Sequence, residues 1–313
     1  MRQTGHVAAR PGDTAGPRVL VGGEREGSLR RGLVPALAVL TGVTILPFIF
    51  LVAISFTQFD LARRETWTDF SRPLAGYSQV MRDDRFANSL LVQAKLSVAT
   101  VTLQLGLGLV GALLLNARIR FITLLRISFL MPMVLPPIVG AIIWKVLLAP
   151  EISPINWLLG LLHLPQPAWL AEPRLALAAI IIADVWQWFP FALLSVLAAL
   201  QMIPLELYEA ARVDGASSSR IFKSIVLPFI RPTLIVVALF RIIDSVKAFP
   251  LIYVLTEGGP GTATEATNYY AYLQGFSFGF ISYSSTMAFI MLAVTFVLSV
   301  VIVRKLDRTV ELE

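Results

Sequence analysis

The residues of this chain best suited to chemistry are polar groups set inside long apolar runs. Asp184, Trp186, Gln187 and Trp188 fall within five positions and combine a carboxylate and an amide with two indoles. Aromatic faces stack on sugar rings and amides hydrogen-bond hydroxyls, so the run suits a carbohydrate; indoles are equally common in packing and at membrane interfaces, and both readings stand. Arg241, Asp244 and Lys247 recur at intervals of three, which lets Asp244 pair with either base along one stripe of a helix. They read as the polar lining of a pathway, or as a self-neutralising ion pair that fixes how the helix docks. Lys95 and Lys145 lie nearer the ends of apolar runs, where long side chains snorkel toward water. With no cysteine and only His6 and His163, thiolate chemistry is excluded and a histidine-built metal centre is disfavoured.

A second group of functional candidates lies between apolar runs. After Pro204, the segment containing Leu205, Tyr208, Glu209, Ala210, Ala211 and Asp214 predicts a helix, ended by Gly215 at a position suited to left-handed backbone and followed by Ala216. Ser217 is placed to cap a second short helix with the apolar face Ile221, Phe222, Ile225 and Val226, which the spacing predicts to stop at Pro228. The product is helix, glycine turn, helix. It reads as an amphipathic hairpin on the membrane surface or under a bundle, or as a peg for a groove on a partner.

The elements that must position these groups are set by hydrophobicity. Of 313 residues, 56% are hydrophobic and 15% charged, against about a quarter charged in soluble domains, and the mean hydropathy is +0.74. Such a chain cannot cover a water-soluble globule with polar groups, and it is too apolar for intrinsic disorder. Six apolar runs, at 33–56, 90–115, 127–148, 175–200, 233–255 and 283–303, are each near or above the ~20 residues a helix needs to cross the hydrocarbon. They hold 142 residues with six charges, or 4%, whereas the remaining 171 residues are 23% charged.

Orientation follows from the connecting segments. Residues 1–32, 116–126, 201–232 and 304–313 carry 16 Lys and Arg, and the alternate segments 57–89, 149–174 and 256–282 carry six. The positive-inside bias places both ends and the hairpin in the cytoplasm. The basic excess is thus a topology signal, and nucleic-acid binding is not needed to explain it. Residues 1–32, rich in Gly and Arg, read as a disordered cytoplasmic tail, 33–305 as one six-span membrane domain with the hairpin in its 201–232 loop, and 306–313 as a second cytoplasmic tail. The first run exceeds the core of a signal peptide and no small-x-small cleavage site closes it, so it is expected to be retained. Pro35, Pro47, Pro132, Pro136, Pro137, Pro190 and Pro250 lie within the runs and predict kinks or unwound turns where neighbours or a water-lined cavity satisfy the freed carbonyls.

The hairpin also carries a motif. Glu209-Ala210-Ala211, Gly215, Ile225 and Leu227-Pro228 resemble the EAA motif of the integral-membrane permeases of ABC importers, and the run from Tyr208 to Ala216 is similar to their carbohydrate branch, the permeases for maltose, trehalose and glycerol phosphate. The stretch from Phe240 to Glu265 is similar to the fifth-span signature of that branch, with Pro250 standing where an aspartate is frequent; the first external loop lacks the large insert of the maltose representative. The likeness covers about residues 33–305. It implies an all-α, six-span permease bundle in a bacterial inner membrane, with cytoplasmic termini and a coupling helix formed by Tyr208, Glu209, Ala210, Ala211, Asp214, Gly215 and Ala216. It further implies a homologous second permease, two ATPase subunits, an extracytoplasmic binding protein and a sugar-like solute, with ATP and Mg held by the ATPases and no cofactor in this chain. No lysine follows a glycine, so the chain has no P-loop and is expected not to be an enzyme. The alternatives are an ABC permease for a non-sugar solute and an ion-coupled carrier using Asp184 or Asp244.

Overall fold

The computed structural model describes residues 23–116 and 122–310, and among these it is helical, without strands. In chain order the helices are α1 (Gly23–Ser55), α2 (Ala75–Val80), α3 (Asp84–Asn116), α4 (Ile122–Val134), α5 (Pro137–Leu148), α6 (Pro154–Leu161) and α7 (Pro173–Gln201). They continue with α8 (Leu205–Val213), α9 (Ser218–Ile221), α10 (Leu227–Ser245), α11 (Phe249–Leu255), α12 (Thr267–Tyr272) and α13 (Ile281–Val310). The chain divides into a unit ending at Phe50, which carries most of α1, and a unit from Leu51 onward, which carries the bundle. α1 begins at Gly23, so the tail expected over 1–32 is helical in its last part, and the rest of it lies outside the described residues. Helix α13 likewise runs through Val310 into the segment expected as a tail at 306–313.

Five helical segments are long and apolar enough to cross a membrane: Leu33–Ser55, Asp84–Asn116, Pro173–Gln201, Ser218–Ser245 and Ile281–Arg304. The sixth span is a broken pair, Thr123–Val134 and Pro137–Leu148, bent by 100°. A single helix over 127–148 is therefore corrected to two. Pro136 and Pro137 lack amide hydrogens and disfavour helix at the residue before each, and Pro137 opens α5 at a position where no donor is needed. The carbonyl of Leu135, freed at the bend, accepts a hydrogen bond from Gln187 Nε2 at 3.0 Å.

The fifth span is also redrawn. The helix beginning at Ser218 does not stop at Pro228: Phe222–Val226 form a wide π turn, with Leu227 N–H donating to Phe222 O, and the chain continues into α10. The extra residue in that turn moves the proline ring clear of the carbonyl it would otherwise strike. The span expected to reach Leu255 instead ends at Ser245, and α11 begins at Phe249 with Pro250 in its first turn. Two carbonyls released at this break are met by amides, Ser245 O by Gln93 Nε2 at 3.1 Å and Val246 O by Asn268 Nδ2 at 2.8 Å. By contrast α7 passes through Pro190 unbroken.

Three buried clusters hold the second unit together. At the cytoplasmic end Leu115, Leu193, Leu197, Leu200, Ile221 and Ile230 join α3, α7 and α10. In the external half Leu96, Ala141, Ile180, Leu251 and Ile252 bring α11 back into the bundle against α3, α5 and α7. Beside it Val80, Phe86, Tyr270, Tyr283 and Met287 join α2, α3, α12 and α13. The α3–α7 contact is close because Gly108 presents no side chain: a Cβ there would stand 2.6 Å from Ala192 Cβ and 2.9 Å from Leu193 N. Gly106, two residues earlier, has open space in the same direction. Small residues that let helices approach are the usual device where lipid supplies no hydrophobic drive between them. Gly108→Val should therefore cost about 1–3 kcal/mol through overpacking. In detergent-solubilised protein it should lower the unfolding midpoint clearly, with Gly106→Val close to the parent.

Candidate functional site

The intramembrane charges meet at one node. Arg241 on α10 is 1% exposed, and its Nη2 lies 3.5 Å from Asp184 Oδ2 on α7. Neither charge is affordable in a dry interior without its partner and a set of hydrogen bonds. Gln104 on α3 supplies those bonds. Its Oε1 accepts from Arg241 Nε at 2.8 Å, and its Nε2 donates to Asp184 Oδ2 at 2.8 Å and to the Asp184 carbonyl at 3.2 Å. The Arg241 guanidinium lies over the Trp188 ring, 4.9 Å from its centroid, a cation–π contact on the remaining face.

From this node the charges alternate outward along α10. Arg241 Nη1 reaches Asp244 Oδ2 at 3.4 Å, and Asp244 Oδ1 accepts from Lys247 Nζ at 3.3 Å. Burial falls along the chain: the Asp244 side chain is 43% exposed and that of Lys247 73%. Asp184, Arg241 and Asp244 thus belong to one ionic cluster, with Trp188 against it and Lys247 at its accessible end. Trp186 stands apart, edge-on to Trp144 at 6.0 Å, and Gln187 is buried at the α4–α5 bend. The Asp184–Trp188 run is therefore divided among three local environments.

Gln104 escapes a search for charges because it is neutral; the signal available was an amide in the middle of an apolar run. An aromatic group on the external side was also not singled out. Phe249 and Tyr253 of α11 stack at 5.4 Å, and Tyr272 of α12 stacks on Phe276 at 5.6 Å, with Phe249 and Tyr272 5.0 Å apart. Tyr253 and Phe276 remain exposed. Their sequence positions follow no single helical period because they sit on two short helices joined by a loop.

At the cytoplasmic end α8 is opened by Pro204, has Glu206 in its first turn and Arg212 in its last, and thereby complements the helix dipole. It ends in a Schellman turn: Gly215 N–H donates to Arg212 O at 3.0 Å, Ala216 N–H donates to Ala211 O at 2.9 Å, and Gly215 has φ +73°. Tyr208, Ala211 and Ala216 pack against the cytoplasmic core cluster, so one face of the hairpin is fixed to the bundle. Burial raises the Tyr208 hydroxyl above its ordinary pKa. Glu209, Ala210, Asp214 and Gly215 are exposed on the other side, together with Leu205, Leu207 and Val213. The expected cap is present, Ser217 Oγ accepting from Arg220 N.

These features define an all-helical membrane permease with a rigid cytoplasmic hairpin presented outward. The family described as "Binding-protein-dependent transport system inner membrane component" matches residues 104–312, and the chain belongs to that family. The trehalose/maltose transport system permease protein MalF of Thermococcus litoralis is 41% identical over 234 residues, 72% of this chain and 79% of that protein. The sulfoquinovosyl glycerol transport system permease protein SmoG of Agrobacterium fabrum is 32% identical over 272 residues, 87% of this chain and 88% of that one. A crystal structure of a bacterial ABC transporter involved in the import of the acidic polysaccharide alginate has the same fold, with a TM-score of 0.79 and 20% identity over 91% of this chain and 96% of that one. The resemblance to ABC importer permeases, the six-span helical fold and the membrane location all hold.

Removing one member of the buried pair leaves the other charge unpaired, a loss of roughly 3–5 kcal/mol. Arg241→Gln should therefore lower the unfolding midpoint of the purified protein much more than Lys247→Gln, whose side chain is 73% exposed. Equal effects would show that the node does not hold α3, α7 and α10 together. Since a Cβ at Gly215 meets nothing within 4 Å, Gly215→Ala should cost only the left-handed backbone penalty. That penalty is about 1 kcal/mol, readable as a small drop in the same midpoint.

Proposed function

We propose that this chain is one of two homologous permease subunits of an ABC importer, forming with its sister the route by which a sugar or sugar-like solute enters the cell. An extracytoplasmic binding protein delivers the solute, and two separate ATPase subunits bind ATP and Mg and supply the drive. The observation that carries the reading is the hairpin of α8 and α9. It is anchored to the bundle through Tyr208, Ala211 and Ala216 and presents Glu209, Asp214 and the apolar Leu205, Leu207 and Val213 outward. A helix with one face fixed and the other free suits insertion into a groove, and its rigid attachment passes a movement of the partner to the spans. Glu209 and Asp214 supply polar anchoring, and Gly215 sets the turn.

A sugar is supported by the named solutes of the relatives, trehalose or maltose and sulfoquinovosyl glycerol, and by the side chains near the α10–α11 break. Asp244 and Lys247 offer hydroxyl-binding groups at the accessible end of the ionic cluster, and Trp188, Tyr253, Tyr272 and Phe276 offer ring faces. Asp184, Arg241 and Gln104 brace this lining from behind. Trp186 and Gln187 support it at one remove through α5.

The test is uptake by the reconstituted four-subunit complex with its binding protein, using labelled trehalose, maltose and sulfoquinovosyl glycerol. Uptake of at least one should require ATP, be blocked by vanadate and ignore an uncoupler, and Glu209→Lys should reduce it tenfold or more. Uptake that collapses with uncoupler but continues without ATP would favour the ion-coupled carrier. Full transport by Glu209→Lys would remove the hairpin from the coupling path.

A further inference from the structure

On the external side of the bundle lies a polar cavity of about 1120 Å³ that none of the roles above uses. Its walls are the segment after α1, helix α2 and the start of α13. This loop is pinned in place: Leu61 N–H donates to Gly279 O at 3.0 Å, Ser282 N–H to Phe59 O at 3.0 Å and Ser282 Oγ to Thr57 O at 2.6 Å. Within the loop, Gln58 Nε2 donates to Arg72 O at 3.0 Å. The cavity is therefore a shaped surface on a fixed backbone.

Its lining includes Arg63, Arg72 and Arg82 together with Asp60, Asp69 and Asp83, so its formal charge is balanced, but the two sets are differently engaged. Asp60 and Asp69 each accept a backbone N–H two residues on, from Ala62 and Ser71 at 2.9 Å. Asp83 is fully engaged: Oδ1 accepts from Arg85 N and Phe86 N at the start of α3, and Oδ2 accepts from the hydroxyls of Tyr270 and Tyr283. Burial acts to raise the Asp83 carboxyl, but these hydrogen bonds outweigh it and hold the group below the ordinary carboxylate range. Tyr270, by burial and by its bond to Asp83, is pushed up to about 12 and stays a donor. The arginines differ. Arg63, Arg72 and Arg82 are exposed, and among the described residues their guanidinium groups form no ion pair and no side-chain hydrogen bond, although Arg72 acts on Asp69 at longer range.

The cavity thus presents forked donors whose neighbouring acceptors are already occupied. Guanidinium groups in that condition match carboxylates, with geometry as well as charge. We infer that this external cavity is a docking surface for the extracytoplasmic binding protein, taking an acidic surface element of it on Arg63, Arg72 and Arg82. The inference rests on the permease reading above and adds where and by what chemistry the delivery protein is held. Arg85 takes no part, since it is committed to Glu265 by two bonds at 2.7 and 2.8 Å.

The experiment uses the full complex in lipid nanodiscs with its solute-loaded binding protein, and reads stimulated ATPase against binding-protein concentration. In the triple variant Arg63→Gln, Arg72→Gln, Arg82→Gln the half-maximal concentration should rise tenfold or more. In the wild-type complex deca-aspartate should compete with the binding protein at low salt and lose that effect at high salt, as exposed charge pairs do. An unchanged half-maximal concentration, or failure of deca-aspartate to compete, overturns the proposal, and the second readout does not depend on the variant folding. A shift seen only in anionic-lipid discs assigns the guanidinium groups to headgroups and also overturns it. Absence of stimulation in the wild type overturns the permease reading and this one with it, whereas stimulation indifferent to both manipulations overturns this one alone.

Discussion

A single buried ion pair sets the geometry of the central bundle. Arg241 and Asp184 sit on different helices in an interior where an isolated charge is prohibitively costly, so α7 and α10 can take only arrangements that keep the two together. Gln104 adds α3 to this constraint by accepting from one charge and donating to the other. Helix approach supports it, since Gly108 lets the α3 backbone lie directly against α7. The pair gives position more than net stability. Its two charges roughly offset their own desolvation, but any register that separates them is excluded.

The same logic governs where spans break. A backbone carbonyl released inside the hydrocarbon needs a donor, because no water competes for it there. At the α4–α5 bend the donor is Gln187, and at the α10–α11 break the donors are Gln93 and Asn268. Side-chain amides thus mark the places where prolines interrupt helices. Pro228 shows the other solution, in which a π turn absorbs the misfit and the helix continues. Proline alone therefore does not decide between bending and passing through; the presence of a donor across the interface does.

The two ends of the bundle are built for different work. On the cytoplasmic side a short helix is fixed by a Schellman turn and by packing of Tyr208, Ala211 and Ala216, which gives a stiff element with a free face. On the external side Asp83 gathers the start of α3 with Tyr270 and Tyr283, and the first external loop is tied to α13 through its backbone. Between them the alternating series Asp184, Arg241, Asp244, Lys247 runs from full burial to open exposure. Rigid ends joined by helices that share one ionic node are what a rocking movement of whole spans requires.

Much of this was legible in the residues alone. Apolar runs long enough to cross a bilayer, with 16 basic residues on one side against six on the other, determined the helical fold and its direction, because burial and positive-inside bias act on composition rather than on contacts. Glycine after a helix of the right length located Gly215, since a left-handed position is a local property. What tertiary structure alone decided is which polar groups meet. Asp184 and Arg241 are far apart in sequence, and Gln104 carries no charge to draw attention, so only the packing of three helices made one site of them. The division of Asp184, Trp186, Gln187 and Trp188 among separate surroundings was equally hidden, because successive residues of a helix point in different directions and each direction is defined by a neighbour from elsewhere in the chain.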